Sequence, residues 1–119
     1  MLQKQYLNGV EILSVNLNSL RNSLHEIAAR IKMQHPEVVE VILFGSFSKN
    51  NFTPCSDLDI AIIVNDTHRK FIERQDDFIE YFLNVPFDTC IVVYTSQEIN
   101  QMIKSGNKFI MEIKEGKKL

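Results

Sequence analysis

The residues best suited to chemistry in this chain are a glycine-serine pair and, ten residues further on, two aspartates. Gly45-Ser46 follows one apolar run, and Asp57-Leu58-Asp59 opens another that ends at Val64. Side chains alternate along a strand, so Asp57 and Asp59 project from one face and can reach one divalent cation. An unpaired buried carboxylate is costly, so the pair must be exposed, paired or bound to metal. Together the turn and the acidic pair suggest phosphate chemistry, and a plain turn at a solvent-facing strand end is the alternative.

A third aspartate, Asp88, has a similar setting. It precedes the apolar run from Cys90 to Tyr94, where the local pattern gives no reason for a charge. If the two strands are neighbours, Asp57, Asp59 and Asp88 meet at one sheet edge, and three carboxylates suit Mg²⁺, a hard cation that prefers oxygen ligands. The alternative is that Asp88 caps a turn after Pro86.

Gly45-Ser46 supplies a tight turn after a strand, with outward-pointing amides and a neighbouring hydroxyl that can grip a triphosphate. Most glycine-serine pairs are ordinary turns, so this signal is weak alone. The chain contains no Gly-x-x-x-x-Gly-Lys-Ser/Thr motif, which argues against a Walker-type kinase or ATPase.

The apolar periodicity predicts one α/β (α+β) domain over residues 1–119, with a small mixed sheet flanked by helices. Residues 1–36 would form an N-terminal extension and helix, 38–94 the core strands, and 96–119 the C-terminal helices. The Asn8-Gly9 pair favours a hairpin over residues 1–14, and a short helix also fits. The first helix is expected from about Asn18, with Asn16 or Asn18 as its cap, and Pro36 marks its end. The strands expected are Val38 to Phe44, Asp57 to Val64 and Phe87 to Tyr94, and the further helices are Ser46 to Lys49, Thr67 to Leu83, Ser96 to Ile103 and Lys108 to Glu115. In the last helix we expect Ile110, Met111 and Ile113 to face inward, and Ser96 to cap the helix that it begins.

Composition limits the partners and the compartment. A net charge of -2 and 24% charged residues give no general attraction for nucleic acid. The lysines at the C-terminus are expected to form a solvated tail. Cys55 and Cys90 lack metal-ligand spacing, which favours free thiols and a cytoplasmic protein. No apolar run is long enough for a membrane span.

Taken together, Leu43-Phe44-Gly45-Ser46, then Asp57-Leu58-Asp59-Ile60, and Asp88 on a later strand resemble the minimal nucleotidyltransferases of the DNA polymerase β superfamily. The resemblance extends over roughly Val38 to Val93. It implies the polymerase-β-like nucleotidyltransferase fold and Mg²⁺-dependent transfer of AMP from ATP to a hydroxyl.

The resemblance also implies a role for each matching residue. Gly45 and Ser46 would hold the phosphates of the nucleotide, and Asp57, Asp59 and Asp88 would ligate two Mg²⁺ ions. Asp88 would also help to deprotonate the attacking hydroxyl. Many relatives carry Arg and Gly where this chain has Lys49 and Asn50, so Lys49 keeps the positive charge for phosphate but loses the bidentate fork.

Short members of this family often pair with a helical HEPN-type protein as antitoxin and toxin, which implies a tyrosine of that partner as the acceptor. Two alternatives stay open. One is a binding protein or scaffold that neutralises its partner without chemistry, and the other is transfer to a small molecule such as an aminoglycoside, with a homo-oligomer or partner completing the pocket.

Overall fold

The structure is a computed structural model and describes residues 2–7, 10–49, 52 and 56–119. Its helices and strands follow the chain as β1 (Leu2–Leu7), β2 (Val10–Val15), α1 (Leu17–Gln34), β3 (Val38–Phe44), β4 (Leu58–Val64), α2 (Phe71–Arg74), β5 (Thr89–Thr95), α3 (Ser96–Lys104), α4 (Lys108–Lys114) and β6 (Lys117–Lys118).

Four strands form the central sheet in the order β5-β4-β3-β6. β3 is antiparallel to both β4 and β6, whereas β4 and β5 are parallel. The sheet is therefore mixed, and together with the flanking helices it confirms the predicted α+β class.

Each face of the sheet is covered by its own layer. One face packs against α1 and the segment before β5, and its core includes Leu20, Leu24, Ile31, Leu58, Ile60 and Ile62. The other face packs against α3 and α4, and its core includes Ile42, Phe44, Ala61, Ile63, Ile110 and Ile113. Burial on both faces explains why the sequence of β4 is entirely apolar after Asp59.

The N-terminal segment forms the favoured hairpin, because β1 and β2 pair antiparallel from Leu2 opposite Val15 to Leu7 opposite Val10. They form a two-stranded sheet separate from the central one. Asn8 and Gly9, the pair that predicted the turn, lie outside the described residues. The helix α1 follows with Asn16 as its cap, since the Asn16 Oδ1 accepts the Ser19 amide at 3.1 Å.

The helix predicted over Thr67 to Leu83 is wrong. Only Phe71–Arg74 is α-helical, and two 3-10 turns follow at Gln75–Asp77 and Ile79–Phe82. Side chains take the carbonyls that a continuous helix would use: the Arg69 guanidinium donates to the Glu73 carbonyl, and the Arg74 Nε donates to the Arg69 carbonyl, both at 3.1 Å. Phe78 and Phe82 are buried by the irregular segment that results.

Arg74 also ties this segment to the sheet. Its Nη1 donates to the Val93 carbonyl at 3.2 Å and to Glu98 Oε1 at 2.6 Å. Glu98 accepts the Thr95 amide at 2.8 Å while the Thr95 hydroxyl accepts the Glu98 amide, so Thr95, and not the predicted Ser96, caps α3 in a capping box.

The predicted helix Ser46 to Lys49 is a 3-10 turn over Gly45–Phe47, closed by hydrogen bonds from the Ser48 and Lys49 amides to the Gly45 carbonyl.

In the last helix Ile110 and Ile113 are buried as expected, but Met111 is 52% exposed, so its inward placement is wrong.

The C-terminal lysines do not form a free tail. Lys117 and Lys118 pair with Leu43 and Ile42 as β6, and the Leu119 amide donates to the Val41 carbonyl at 2.8 Å. Their side chains stay exposed, as the tail prediction required, and the Lys118 Nζ forms an ion pair with Glu40 Oε1 of β3 at 3.0 Å. Within the described ranges, no helix is long and apolar enough to cross a membrane.

Gly116 lets the chain pass close to β3. A Cβ placed there would lie 2.6 Å from the Leu43 carbonyl oxygen and 2.8 Å from the Ile42 Cγ2, so backbone would have to move. We expect Gly116→Ala and Gly116→Asn each to destabilise the fold by about 2 kcal/mol, because both overpack this contact. Thermal unfolding measures the loss.

Gly106 is the matched control, since its φ of 71° is strained for most residues but a Cβ would meet nothing within 4 Å. There Asn should be tolerated better than Ala, because Asn adopts the left-handed region readily. Equal losses for Ala and Asn at position 106 with no loss at 116 would contradict the close-approach explanation.

A second prediction concerns Glu98. Burial alone would raise its pKa, but hydrogen bonds from Thr95 and Arg74 outweigh burial, so the pKa of Glu98 lies below its ordinary 4.5. Its stabilising contribution is full above pH 4.5 and is lost as pH falls through the lower folded value. Glu98→Gln should cost less than about 1 kcal/mol at pH 7, since the group is near the surface, and less at pH 3 than at pH 7. Chemical unfolding at both pH values tests this, and an equal loss at pH 3 would contradict it.

Candidate active site

The three aspartates lie at one edge of the central sheet because β3 ends where β4 and β5 begin. Phe44 pairs with Asp59 across the antiparallel ladder, and Asp59 pairs with Cys90 across the parallel one. The Leu58 amide donates to the Asp88 carbonyl at 2.8 Å, which extends the ladder by one residue and brings the backbone of Asp88 beside the start of β4.

Alternation fixes the face on which the acids lie. Leu58 is buried in the α1 layer, so Asp57 and Asp59 on either side of it point to the α3 and α4 face. Registered partners on parallel strands share a face, so Cys90 points the same way as Asp59. The apolar residues further along β4 on this face, Ala61 and Ile63, belong to the α4 core. Among the described residues, the site therefore lies at the more exposed end of a face whose other end is packed.

The glycine turn is in direct contact with the acidic pair. Gly45 has a φ of 74°, which favours glycine, and a Cβ there would lie against Asp59 Oδ2 and 3.2 Å from its Cγ. The Gly45 carbonyl accepts the Ser48 hydroxyl at 2.9 Å and the amides of Ser48 and Lys49 at 3.1 and 3.3 Å. Only glycine allows the turn and the carboxylate to approach this closely.

The electrostatic environment of the site is negative. Burial, then the charge of Asp57, then the charge of Glu112 on α4 raise the pKa of Asp59. Burial and the charges of Asp59 and Asp57 likewise raise the pKa of the Cys90 thiol. Among the described residues no lysine or arginine lies within 4 Å of these aspartates. A bound cation would satisfy this arrangement.

The structure brings some of the predicted residues together and leaves others apart. Asp57 and Asp59 share a face, and Gly45 contacts Asp59, whereas the side chain of Asp88 is exposed at the same edge. In the part of the chain that is described, no three His, Cys, Asp or Glu side chains form a group that could hold a metal ion. Two carboxylates of the chemistry that Mg²⁺ prefers are thus in place, and the three-aspartate metal site stays a prediction.

Ser46 and Lys49 follow Gly45 on the turn. Lys49 is exposed and makes no ion pair with the described residues, and Ser46 makes no hydrogen bond to them. Their phosphate-binding roles stay predictions, and Asn50 lies outside the described residues. Phe47 follows Ser46 and is buried between Phe52 and Phe87, with ring centroids 4.9 and 5.0 Å away. It therefore anchors the turn to the core.

Sequence reasoning missed two residues of this site, both on α4. Glu112 adds a further negative charge near Asp59, and the ring of Phe109 packs edge-on against Phe44, with centroids 5.6 Å apart. Their spacing marks them only as helix residues. Their proximity to the acids depends on how α4 lies across the sheet, which no local signal encodes.

The profile of the nucleotidyltransferase domain family matches residues 24–119, most of the chain, so this protein belongs to that family. That span contains all the predicted site residues. No curated protein matches the sequence.

Two solved structures are reported as similar to this chain. One is a protein from Sulfolobus solfataricus that carries a provisional assignment as a nucleotidyltransferase, with a TM-score of 0.59 and 17% identity over 71% of this chain and 75% of that one. The other is a toxin-antitoxin with AMP-PNP, with a TM-score of 0.48 and 21% identity over 87% of this chain and 72% of that one. The first supports the nucleotidyltransferase fold for this chain.

We expect Asp59→Asn to stabilise the metal-free protein at pH 7 by about 2 °C in Tm, a scale that allows for solvent screening. A carboxyl whose folded pKa is raised costs stability at neutral pH, and the cost fades as pH falls through the folded value and is gone below the ordinary 3.8. Thermal unfolding at pH 7 and pH 3 measures this difference.

Asp66→Asn is the control, because Asp66 is exposed just beyond the opposite end of β4. It should leave Tm unchanged at both pH values. A loss of stability in Asp59→Asn at pH 7 would mean that the Asp59 charge is compensated within the protein.

Proposed function

We propose that this nucleotidyltransferase transfers AMP from ATP to a hydroxyl of an acceptor protein and depends on Mg²⁺ to do so. Membership of the family supports nucleotidyl transfer in general. The observation that carries the rest is the contact between Gly45 and Asp59, because it joins the phosphate-binding turn to the acidic pair within one small site.

Each residue has a proposed part. Asp57 and Asp59 hold Mg²⁺, as their shared face and the surrounding negative charge favour. Asp88, at the same strand edge, completes the ligand set and accepts the proton of the attacking hydroxyl. Mg²⁺ bound there would stabilise charge on the attacking and leaving oxygens of a displacement at the α-phosphorus, with pyrophosphate leaving.

The turn after β3 orients the nucleotide. Gly45 lets the phosphates approach the backbone, and Ser46 offers a hydroxyl that makes no hydrogen bond to the described residues. Lys49 supplies a positive charge on the exposed side of the turn, as a point charge and without the bidentate fork of arginine.

The proposed acceptor is a tyrosine of a HEPN-type partner, with this chain as the antitoxin. This part rests on the resemblance to short minimal nucleotidyltransferases. The site itself lies open at a sheet edge, which suits an acceptor hydroxyl carried by another protein. Lys49 and the exposed side chain of Asp88 favour one competing function, a partner-binding antitoxin without catalysis.

We expect the protein with Mg²⁺ and ATP to label a co-expressed HEPN-type partner from α-labelled ATP and not from γ-labelled ATP, since AMP is transferred and pyrophosphate leaves. Chelation by EDTA should abolish the label. Asp57→Asn and Asp59→Asn should each reduce the rate by about 100-fold or more, because each removes a charge that binds the metal.

Asp66→Asn should keep the wild-type rate and serves as the matched control. Label from the γ-phosphate would identify phosphoryl transfer and overturn the proposal. Neutralisation of the partner by an unlabelled Asp57→Asn/Asp59→Asn double variant would establish the binding function in place of catalysis.

A further inference from the structure

β5 forms one edge of the central sheet and has no strand on its outer side among the described residues. The Asp88 carbonyl faces β4, and residue orientation alternates, so the backbone groups of Thr89, Ile91 and Val93 face outward. The Arg74 Nη1 already donates a hydrogen bond to the outward Val93 carbonyl at 3.2 Å. No described residue pairs with the outward amide and carbonyl groups from Thr89 to Ile91, which lie next to the candidate active site.

An apolar groove runs beside this open edge. It has a volume of about 320 Å³ and lies between α2 and the stretch from Cys90 to Val93. Phe71 and Ile72 of α2 line it and are 47% and 77% exposed. An open edge beside an apolar groove is the arrangement that accepts an added strand, with hydrogen bonds from the backbone and side chains in the groove.

The same chain carries a two-stranded hairpin. Among the described residues β1 and β2 pair only with each other, and a lone two-stranded hairpin is marginally stable in water. Each of these strands has six residues, enough to cover the open part of β5. Their sequence is rich in strand-forming and apolar residues, including Leu2, Leu7, Val10, Ile12, Leu13 and Val15.

We infer that two copies of this chain associate, with the β1–β2 hairpin of each copy adding to the β5 edge of the other. The observations favour a second copy because the hairpin and the open edge belong to one chain, so a two-fold exchange pairs the β5 edge of each copy with the hairpin of the other. Arg74 at Val93 confines pairing to the half of β5 nearest the aspartates. The added hairpin then lies beside Cys90, the register partner of Asp59, and forms a wall of the site.

Sedimentation equilibrium on the full chain tests this inference without reference to catalysis. The wild type should pass from the 13.8 kDa monomer to twice that mass as concentration rises. Ile72→Lys places a charge in the groove and should weaken self-association by about tenfold or more. Leu83→Lys is the control, because Leu83 is 74% exposed and lies outside the groove, and it should leave association unchanged.

Hydrogen exchange read by mass spectrometry identifies the paired surfaces. Peptides covering residues 2–15 and 89–92 should both gain protection as wild-type concentration rises, and both should lose that gain in Ile72→Lys. A wild type that stays monomeric at every concentration overturns the inference. A dimer in which residues 89–92 are unprotected also overturns it, because the copies then associate through another face. A dimer in which 89–92 are protected and 2–15 are not overturns it too, because two β5 edges then pair with each other.

Discussion

Everything else in this protein depends on the pairing of β4 with a strand on each side. β4 is buried between two helical layers, antiparallel to β3 and parallel to β5. This arrangement sets the chain directions so that the end of β3 meets the beginnings of β4 and β5. The glycine turn and the three aspartates occupy those three strand ends. The hydrogen-bond ladder that holds the core therefore also assembles the site.

The acidic pair works against the stability of this core. Asp59 is placed where burial, Asp57 and Glu112 all disfavour its charge, and no described basic group compensates it. A fold selected only for stability would put a neutral residue there. Local electrostatic cost concentrated at one end of an otherwise well-packed strand is typical of a functional site.

Much of the fold was predictable from the sequence because local signals and tertiary packing agree. β3 and β4 are short apolar runs bounded by polar residues, and α1 carries its apolar residues at helical spacing with Asn16 as a cap. The same agreement extends to the glycine turn and the acidic pair, whose alternation around Leu58 fixes a shared face without knowledge of the tertiary structure.

The failures arise where hydrogen bonds that the apolar pattern does not show override the local preference. The segment from Thr67 to Leu83 has a helical apolar pattern, but Arg69 and Arg74 hydrogen-bond to carbonyls and divide it into short turns. The lysines after Gly116 read as a tail because backbone pairing with β3 leaves no trace in side-chain pattern. Glu112 could not be assigned to the site for a related reason, since the path of α4 across the sheet is a tertiary property.

The contact between Gly45 and Asp59 has a consequence for how such a protein changes over generations. A side chain at position 45 would displace the carboxylate, so neither position can vary freely while the other is in use. Once activity is no longer selected, the constraint on both disappears at once, and each can accumulate replacements independently. In this chain the glycine has a positive φ and the carboxylate is unfavourable to the fold, so both positions carry the cost of this contact.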